Sequence, residues 1–315
     1  MSVGADILPP RVQAGLRAAV GHIRAFAGAG PTAGDASALA ARLYADWYAR
    51  WSLESASAPG RSLVETLRAA HIGAEKWEQG WVVRKVSATG QALAAYGERM
   101  RVLDPIDYCN PARAGLPAAP GDAVLVPARR DSVAIQPGFW FTWAGPGANP
   151  TLAAGECVRL YWHISAEGAP ALVHTVTQRL DECGVAYSLK LPSHAHDYGR
   201  ADGAVLFLRD SDARHLVAEF QVVHAHVREW LHSPTPALAR PLAEGLALAE
   251  DPGAEQQSFG THRCRVIAQA GLAALRRNEP TDDEILRALL DGLTAEGVPP
   301  ARPHLRAFSS AEYEW

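Results

Sequence analysis

Two hydrophobic periods alternate along this chain. Residues 11 to 50 and 61 to 74 repeat apolar positions at one-turn spacing, as in ALAARLYADWYARW with Leu39, Leu43 and Trp47, and this spacing predicts helices. WVVRKVS (81 to 87) adds a short strand, so the first hundred residues read as mostly helical. The stretch DPIDYCNPARAGLPAAPGD (104 to 122) then interrupts the pattern with proline and glycine. Beyond it AVLVP, FWFTW, VRLYWHIS, VAYSLKL and GAVLFL read as strands, and 212 to 232 and 261 to 277 as helices. The expected fold class is α+β: a mixed β-sheet with flanking helices after a mainly helical N-terminal part. The expected divisions are a helical region over 1–105, a Pro/Gly-rich connection over 106–136 and an α+β domain over 137–315.

VRLYWHIS (158 to 165) alternates strictly. Val158, Leu160, Trp162 and Ile164 are apolar, whereas Arg159, Tyr161, His163 and Ser165 are polar and share the other face. In GAPALVHTVTQRLDECG, Leu172, Val176 and Leu180 lie at i, i+4 and i+8, and Gly184 closes the helix. VAYSLKL alternates again, with Val185, Tyr187, Leu189 and Leu191 on one face and Ser188 and Lys190 on the other. A strand, helix, strand order predicts parallel neighbours with a right-handed crossover, which sets Lys190 on the face of Arg159, Tyr161 and His163. Two readings fit that face. One is a solvated sheet surface. The other is a site for an anion, since arginine binds phosphate bidentately, histidine titrates near neutrality and lysine becomes a base when desolvated.

Composition narrows the choice little. The 315 residues are 48% hydrophobic and 20% charged, with a net charge of −4, which argues against general nucleic-acid binding. No apolar run is long enough to span a bilayer, and MSVGADILPPRVQAG has no secretory pattern, so a cytoplasmic protein is expected. Cys109, Cys157, Cys183 and Cys264 form no CxxC pair and read as reduced thiols. The HAH pairs at 194 to 196 and 224 to 226 could share a strand face, but nothing completes a set of metal ligands, so no metal is expected.

Further cationic features lie away from VRLYWHIS. In QQSFGTHRCRVIAQAGLAALRR, Ser258 or Thr261 can cap a helix flanked by Arg263 and Arg265, and Gly260 allows backbone N–H groups close to a ligand. Taken alone, this stretch is better explained as an ordinary capped helix with solvated arginines. Arg200, in HDYGRADGAVLFL, precedes a strand and has Asp202 as an available partner.

RLYWHIS, the helix after it, GVAYSLKLP, YGRADGAVLFL, PTPALARPLAEGLALAEDPG and SFGTHRCRVIA resemble, in order and spacing, the HopA-type family of type III effectors over about 158 to 277. HopA-like proteins of its biosynthetic branch serve class V lanthipeptide and thioamitide pathways. The resemblance implies a metal- and cofactor-independent phospho-amino-acid lyase that acts on a ribosomal precursor peptide after a partner kinase. It also implies a distant similarity to the phosphothreonine lyases. Carried over, the strand histidine that serves as acid falls on His163 and the lysine base on Lys190. Arg200 matches the arginine after the lysine strand, and Arg263 and Arg265 match arginines of the SFG motif. With Arg159 these would hold phosphate. Phosphothreonine lyases carry a second lysine where this chain has Tyr161, so either Arg159 compensates for the charge or Tyr161 serves as a donor to the substrate carbonyl. The expected reaction is β-elimination of phosphate from phosphoserine or phosphothreonine, giving dehydroalanine or dehydrobutyrine. The N-terminal helices would bind leader peptide or kinase, or simply form core.

Two alternatives of different kind stay open: a non-catalytic module that presents the peptide to a kinase, and a secreted effector acting on host phosphoproteins. The simultaneous presence of Lys190 and His163 favours an enzyme. A secreted effector would be expected to open with a Ser-rich disordered segment, which MSVGADILPPRV does not supply.

Overall fold

The computed structural model describes residues 8–28, 34–50, 60–72, 77–106, 108–113, 116–127, 130–145, 157–253, 257–277 and 279–315. The opening residues read above for a signal or secretion segment, and parts of the expected helices and of the Pro/Gly-rich connection, lie outside them.

Three helices, α1 (Pro10–Ala27), α2 (Ala36–Arg42) and α3 (Val64–Ala70), come first, with α2 running directly into a π-helical turn, Leu43–Tyr48. The Asp35 side chain starts α2 by accepting from the Ser37 and Ala38 backbone N–H groups. Leu39, Leu43 and Trp47 face inward, as their spacing predicts.

Four antiparallel strands follow, in the order β3-β2-β1-β4: β1 (Trp77–Val86), β2 (Ala92–Tyr96), β3 (Arg99–Leu103) and β4 (Ala123–Pro127). This corrects the picture of a mostly helical first hundred residues. It also corrects the boundary at 105, which falls within a sheet because β4 pairs with β1 across the intervening turn. Trp81, Val83, Ala94 and Val124 give this sheet its own small core.

The rest is built on a seven-stranded sheet. Its strands are β5 (Arg130–Ser132), β6 (Phe139–Ala144), β7 (Cys157–Trp162), β8 (Tyr187–Pro192), β9 (Ala204–Arg209), β10 (Arg240–Ala243) and β11 (Leu246–Glu250). Their order is β10-β11-β7-β9-β8-β6-β5. The α+β class holds, but every pair in the sheet is antiparallel rather than mixed. α4 (Ala169–Cys183) does carry the chain from β7 to a strand running the same way, and Gly184 ends it at φ 67°. The strand reached is one place further on, because β9 inserts between β7 and β8 and pairs with both. Facing is preserved: opposed residues share a sheet face, so Lys190 opposite Val205 opposite Tyr161 forms one row.

Both faces of the large sheet are covered. Val158, Leu160, Trp162, Tyr187, Leu189 and Leu191 pack on α3, α4, α5 (Asp210–His215) and α6 (Val217–Val227). The opposite face meets α1, α2, the π-helical turn, α7 (Phe259–Leu275) and α8 (Asp282–Ala295). The polar face of VRLYWHIS is therefore not a solvated surface. It is roofed by helices, and the N-terminal helical part belongs to the same core rather than to a separate domain. Thr281 and Glu284 close a capping box on α8, a helix the sequence reading did not anticipate.

Candidate functional site

A cavity of about 910 Å³ lies between the covered polar face of the sheet and its helical roof. Its floor is Arg159 and Tyr161 of β7, Lys190 of β8 and Val205 and Phe207 of β9. Arg200 and Asp202, from the turn before β9, close one side with Phe139. Ser258, Thr261, Arg265 and Gln269 line it from α7, one helical face at i, i+3, i+7 and i+11. Alanines of α2 with Tyr44, Ala45 and Tyr48 of the π-helical turn form the remaining wall.

Lys190 is the base candidate, and its surroundings fit that role. Burial brings its pKa down to about 8, helped by Arg200 and Arg159 and opposed by Asp202. Nζ lies 3.8 Å from the Phe139 ring centroid and 5.8 Å from that of Phe141. Among the described residues it makes no hydrogen bond or ion pair.

The two floor arginines are oriented by carboxylates. Asp251 accepts from Arg159 Nε at 3.1 Å and also from Nη2, which leaves Nη1 for a ligand. Asp202 accepts from Arg200 Nε at 2.5 Å and Nη2 at 3.0 Å, and the Tyr44 hydroxyl donates to Asp202 at 2.8 Å. Burial alone would raise the Asp202 carboxyl, but the charge and hydrogen bonds of Arg200, with Tyr44, hold it below the usual range. Arg200 stacks 5.5 Å over the same Phe139 ring that Lys190 touches.

Tyr161 is only 2% exposed; the Tyr48 hydroxyl lies beside its own, and no group among the described residues stands in hydrogen-bonding geometry to accept from it. Burial, opposed by Arg159, pushes its pKa up to about 12, so it remains an O–H donor at neutral pH. Arg265 bonds Gln269 at 3.0 Å and pairs with Glu296 at 3.4 Å. Ser258 caps α7, its hydroxyl accepting from the Thr261 backbone N–H at 3.1 Å.

Two expected residues do not reach the cavity. Arg263 is fully buried and donates to the carbonyls of Pro303 at 2.9 Å and Leu305 at 2.5 Å. Two positions from Arg265 on a helix, it faces the far side and holds the C-terminal segment, which corrects its assignment to phosphate. His163 lies just past the end of β7 and is absent from the cavity lining. Its Nδ1 bonds the Pro234 carbonyl at 2.8 Å, so Nδ1 carries the proton and Nε2 is the free nitrogen of the neutral ring. Burial, opposed by that bond and assisted by His232, lowers its pKa below 6.5.

Gly260 has a different use from the one expected. A Cβ there would lie 2.3 Å from Tyr48 and 2.8 Å from Tyr44, so its bareness admits two tyrosine rings rather than a ligand. The sequence reading missed these tyrosines and Asp251. The i, i+4 spacing of Tyr44 and Tyr48 opposite an apolar stripe was the available signal for the first two. The HAH pairs are not strand pairs either: Ala195–Tyr198 is a 3₁₀ turn, and His224 and His226 are on α6. Among the described residues no three His, Cys, Asp or Glu side chains converge as a metal would need. All four cysteines are free thiols. No helix among the described residues is long and apolar enough to cross a membrane.

A model of the HopA1 effector protein family matches residues 131–305, more than half of the chain. Two solved effector proteins of Pseudomonas syringae are similar in structure. That of pathovar syringae strain 61 gives a TM-score of 0.51 at 15% identity, over 94% of this chain and 98% of the other. That of pathovar tomato strain DC3000 gives 0.42 at 18% identity, over 56% of this chain and 66% of the other, just under two thirds of that neighbour's length. No curated protein sequence matches.

Proposed function

The chain belongs to the HopA1 effector protein family, and from that premise we propose that it is a phosphoserine/phosphothreonine lyase acting on a ribosomally made precursor peptide phosphorylated by a partner kinase. The observation that carries the reading is Lys190: a buried amine with a pKa of about 8, free of ion pairs among the described residues, in a cavity that also holds Arg159, Arg200 and Arg265.

In the proposed reaction the neutral amine of Lys190 takes the α-proton of the phosphorylated residue. The C–H electron pair becomes the Cα=Cβ bond as the Cβ–O bond breaks, and phosphate leaves with that bonding pair. The hard step is the first, because the α-proton is far less acidic than a side chain. Position and a lowered pKa are what a lysine can contribute to it. Arg159, Arg200 and Arg265 carry the phosphoryl charge in a site partly shielded from water, where such contacts are strong. For the departing oxygen the proposed donor is His163 through Nε2. His163 lies beyond the cavity lining and burial lowers its pKa below 6.5, so this role requires the substrate to reach past the end of β7 and its phosphate dianion to raise that pKa.

The family's description as effectors favours a second reading, in which the same elimination acts on a phosphoprotein of a host cell. The two differ in substrate and not in chemistry. Incubation of the protein with a phosphothreonine peptide, following phosphate release and the absorbance of the dehydro residue together, tests the shared reaction. Phosphate release without a dehydro residue would make the protein a phosphatase.

A further inference from the structure

The cavity's helical wall lies outside the part of the chain that matches the family, and its composition differs from the floor's. Ala36, Ala40 and Ala41 of α2 and Ala45 of the π-helical turn line the cavity beside Leu39, Leu43 and Trp47, which anchor the helix in the core, and Ala36 and Ala40 pack against that core themselves. The floor across from them carries Arg159, Lys190 and Arg200. A ligand in this slot thus meets charge on one side and methyl groups on the other.

The volume, about 910 Å³, is near the top of the range of about 300–1,000 Å³ for small-ligand sites, room for more than one residue. A second observation also points to a ligand. Tyr161 lines the same cavity and is almost fully buried, and the neighbouring Tyr48 hydroxyl is placed to donate to its oxygen, which leaves the Tyr161 O–H itself without an acceptor among the described residues. A buried donor left without an acceptor is costly, and a peptide carbonyl in the slot would supply one. The wall is also held in place: the Tyr44 hydroxyl is fixed on Asp202, and Gly260 leaves room for both tyrosine rings against α7.

We propose that the Ala36–Tyr48 segment is a specificity wall that admits a peptide only when the residues beside its phosphorylated residue are small, such as glycine, alanine or serine. This inference rests on the reading of the cavity as a phosphopeptide site. Alanine at these positions lets the peptide backbone run close to the helix. A bulky neighbour would have to displace the wall, and the wall is braced.

The test uses the full chain carrying Lys190→Ala, so that peptides survive, and reads the fluorescence anisotropy of labelled phosphothreonine peptides flanked by alanine or by phenylalanine. The alanine-flanked peptide is expected to bind about tenfold tighter or more, the scale on which a pocket discriminates side-chain size. Adding Ala45→Leu should weaken that peptide by a similar factor while affinity for inorganic phosphate stays unchanged. Ala40→Gly, which widens the slot, should reduce the discrimination. Flank-independent affinity, or equal losses for peptide and phosphate in Ala45→Leu, would overturn the wall. Flank-selective binding by a chain that eliminates nothing with Lys190 restored would support the wall and remove the lyase reading, so the two failures are distinguishable.

Discussion

The Lys190 ammonium nitrogen lies 3.8 Å from the centre of the Phe139 ring, in a cavity where its neighbouring cations are Arg159 and Arg200. Burial disfavours the charged lysine, the Asp202 carboxylate favours it, and the two guanidinium groups disfavour it. The balance sets the pKa at about 8. Because the proposed base must be neutral, the elimination rate should rise with pH through about 8 and level off above it. A stopped assay over pH 6 to 10 reads this, and a rate that falls across the same interval would contradict the role. The folded-state pKa lies below the unfolded value of 10.5, so the unfolded chain binds more protons between the two values. Lys190 therefore makes folding more favourable as pH rises through that window. Lys190→Met should accordingly abolish turnover with an unchanged or higher melting temperature.

Arg263 and Arg265 are two residues apart, and their substitutions should separate cleanly. Arg263→Ala removes a fully buried guanidinium from two carbonyls and should cost about 3 kcal/mol or more in chemical denaturation. Arg265→Ala breaks a partly exposed pair with Glu296, so stability should change by less than about 1 kcal/mol. Phosphopeptide affinity should nevertheless fall by about tenfold, the worth of a charge-assisted contact.

Asp202→Asn removes the negative charge beside the buried Arg200 and one of the two acceptor oxygens that Arg200 and the Tyr44 hydroxyl share. A loss of about 3–5 kcal/mol is expected, as for other buried pairs stripped of one partner. The loss should appear in denaturant melts with and without phosphate, and smaller in its presence, since a bound anion gives Arg200 another partner.

Gly260→Ala places a Cβ against two rings held by the core. It should destabilise the chain by about 1–3 kcal/mol and alter near-ultraviolet circular dichroism, which reports the packing of Tyr44 and Tyr48.

Much of this was legible in local pattern. Alternation in VRLYWHIS and VAYSLKL assigned the faces correctly, because side-chain period in a strand is fixed by the backbone and does not depend on which strand lies next door. The strand order was not legible. The insertion of β9 between β7 and β8 is a long-range pairing with no mark in the connecting helix. The antiparallel sheet over 77–127 was hidden by interruption: β1 shifts register against both neighbours, and alanine-rich β2 carries little strand signal. At the site, Arg159, Tyr161, Lys190, Arg200 and Arg265 converge as expected. Arg263 was misread because similarity by position does not distinguish the two sides of a helix. Tyr44 and Tyr48 were missed because their helix reads as ordinary core until the sheet it covers is known.

For His163, a peptide bearing an activated leaving group in place of phosphate should restore turnover to His163→Ala. Equal defects on both substrates would remove the acid role, leaving the guanidinium groups to neutralise the departing phosphate.

The most direct measurement is mass spectrometry of a phosphoserine or phosphothreonine peptide after incubation with the protein and, in parallel, with Lys190→Ala. Loss of phosphoric acid, leaving a dehydro residue, with intact peptide in the Lys190→Ala reaction, is the result expected of a lyase with this base. A peptide that regains its hydroxyl, or elimination that proceeds equally without Lys190, would contradict it.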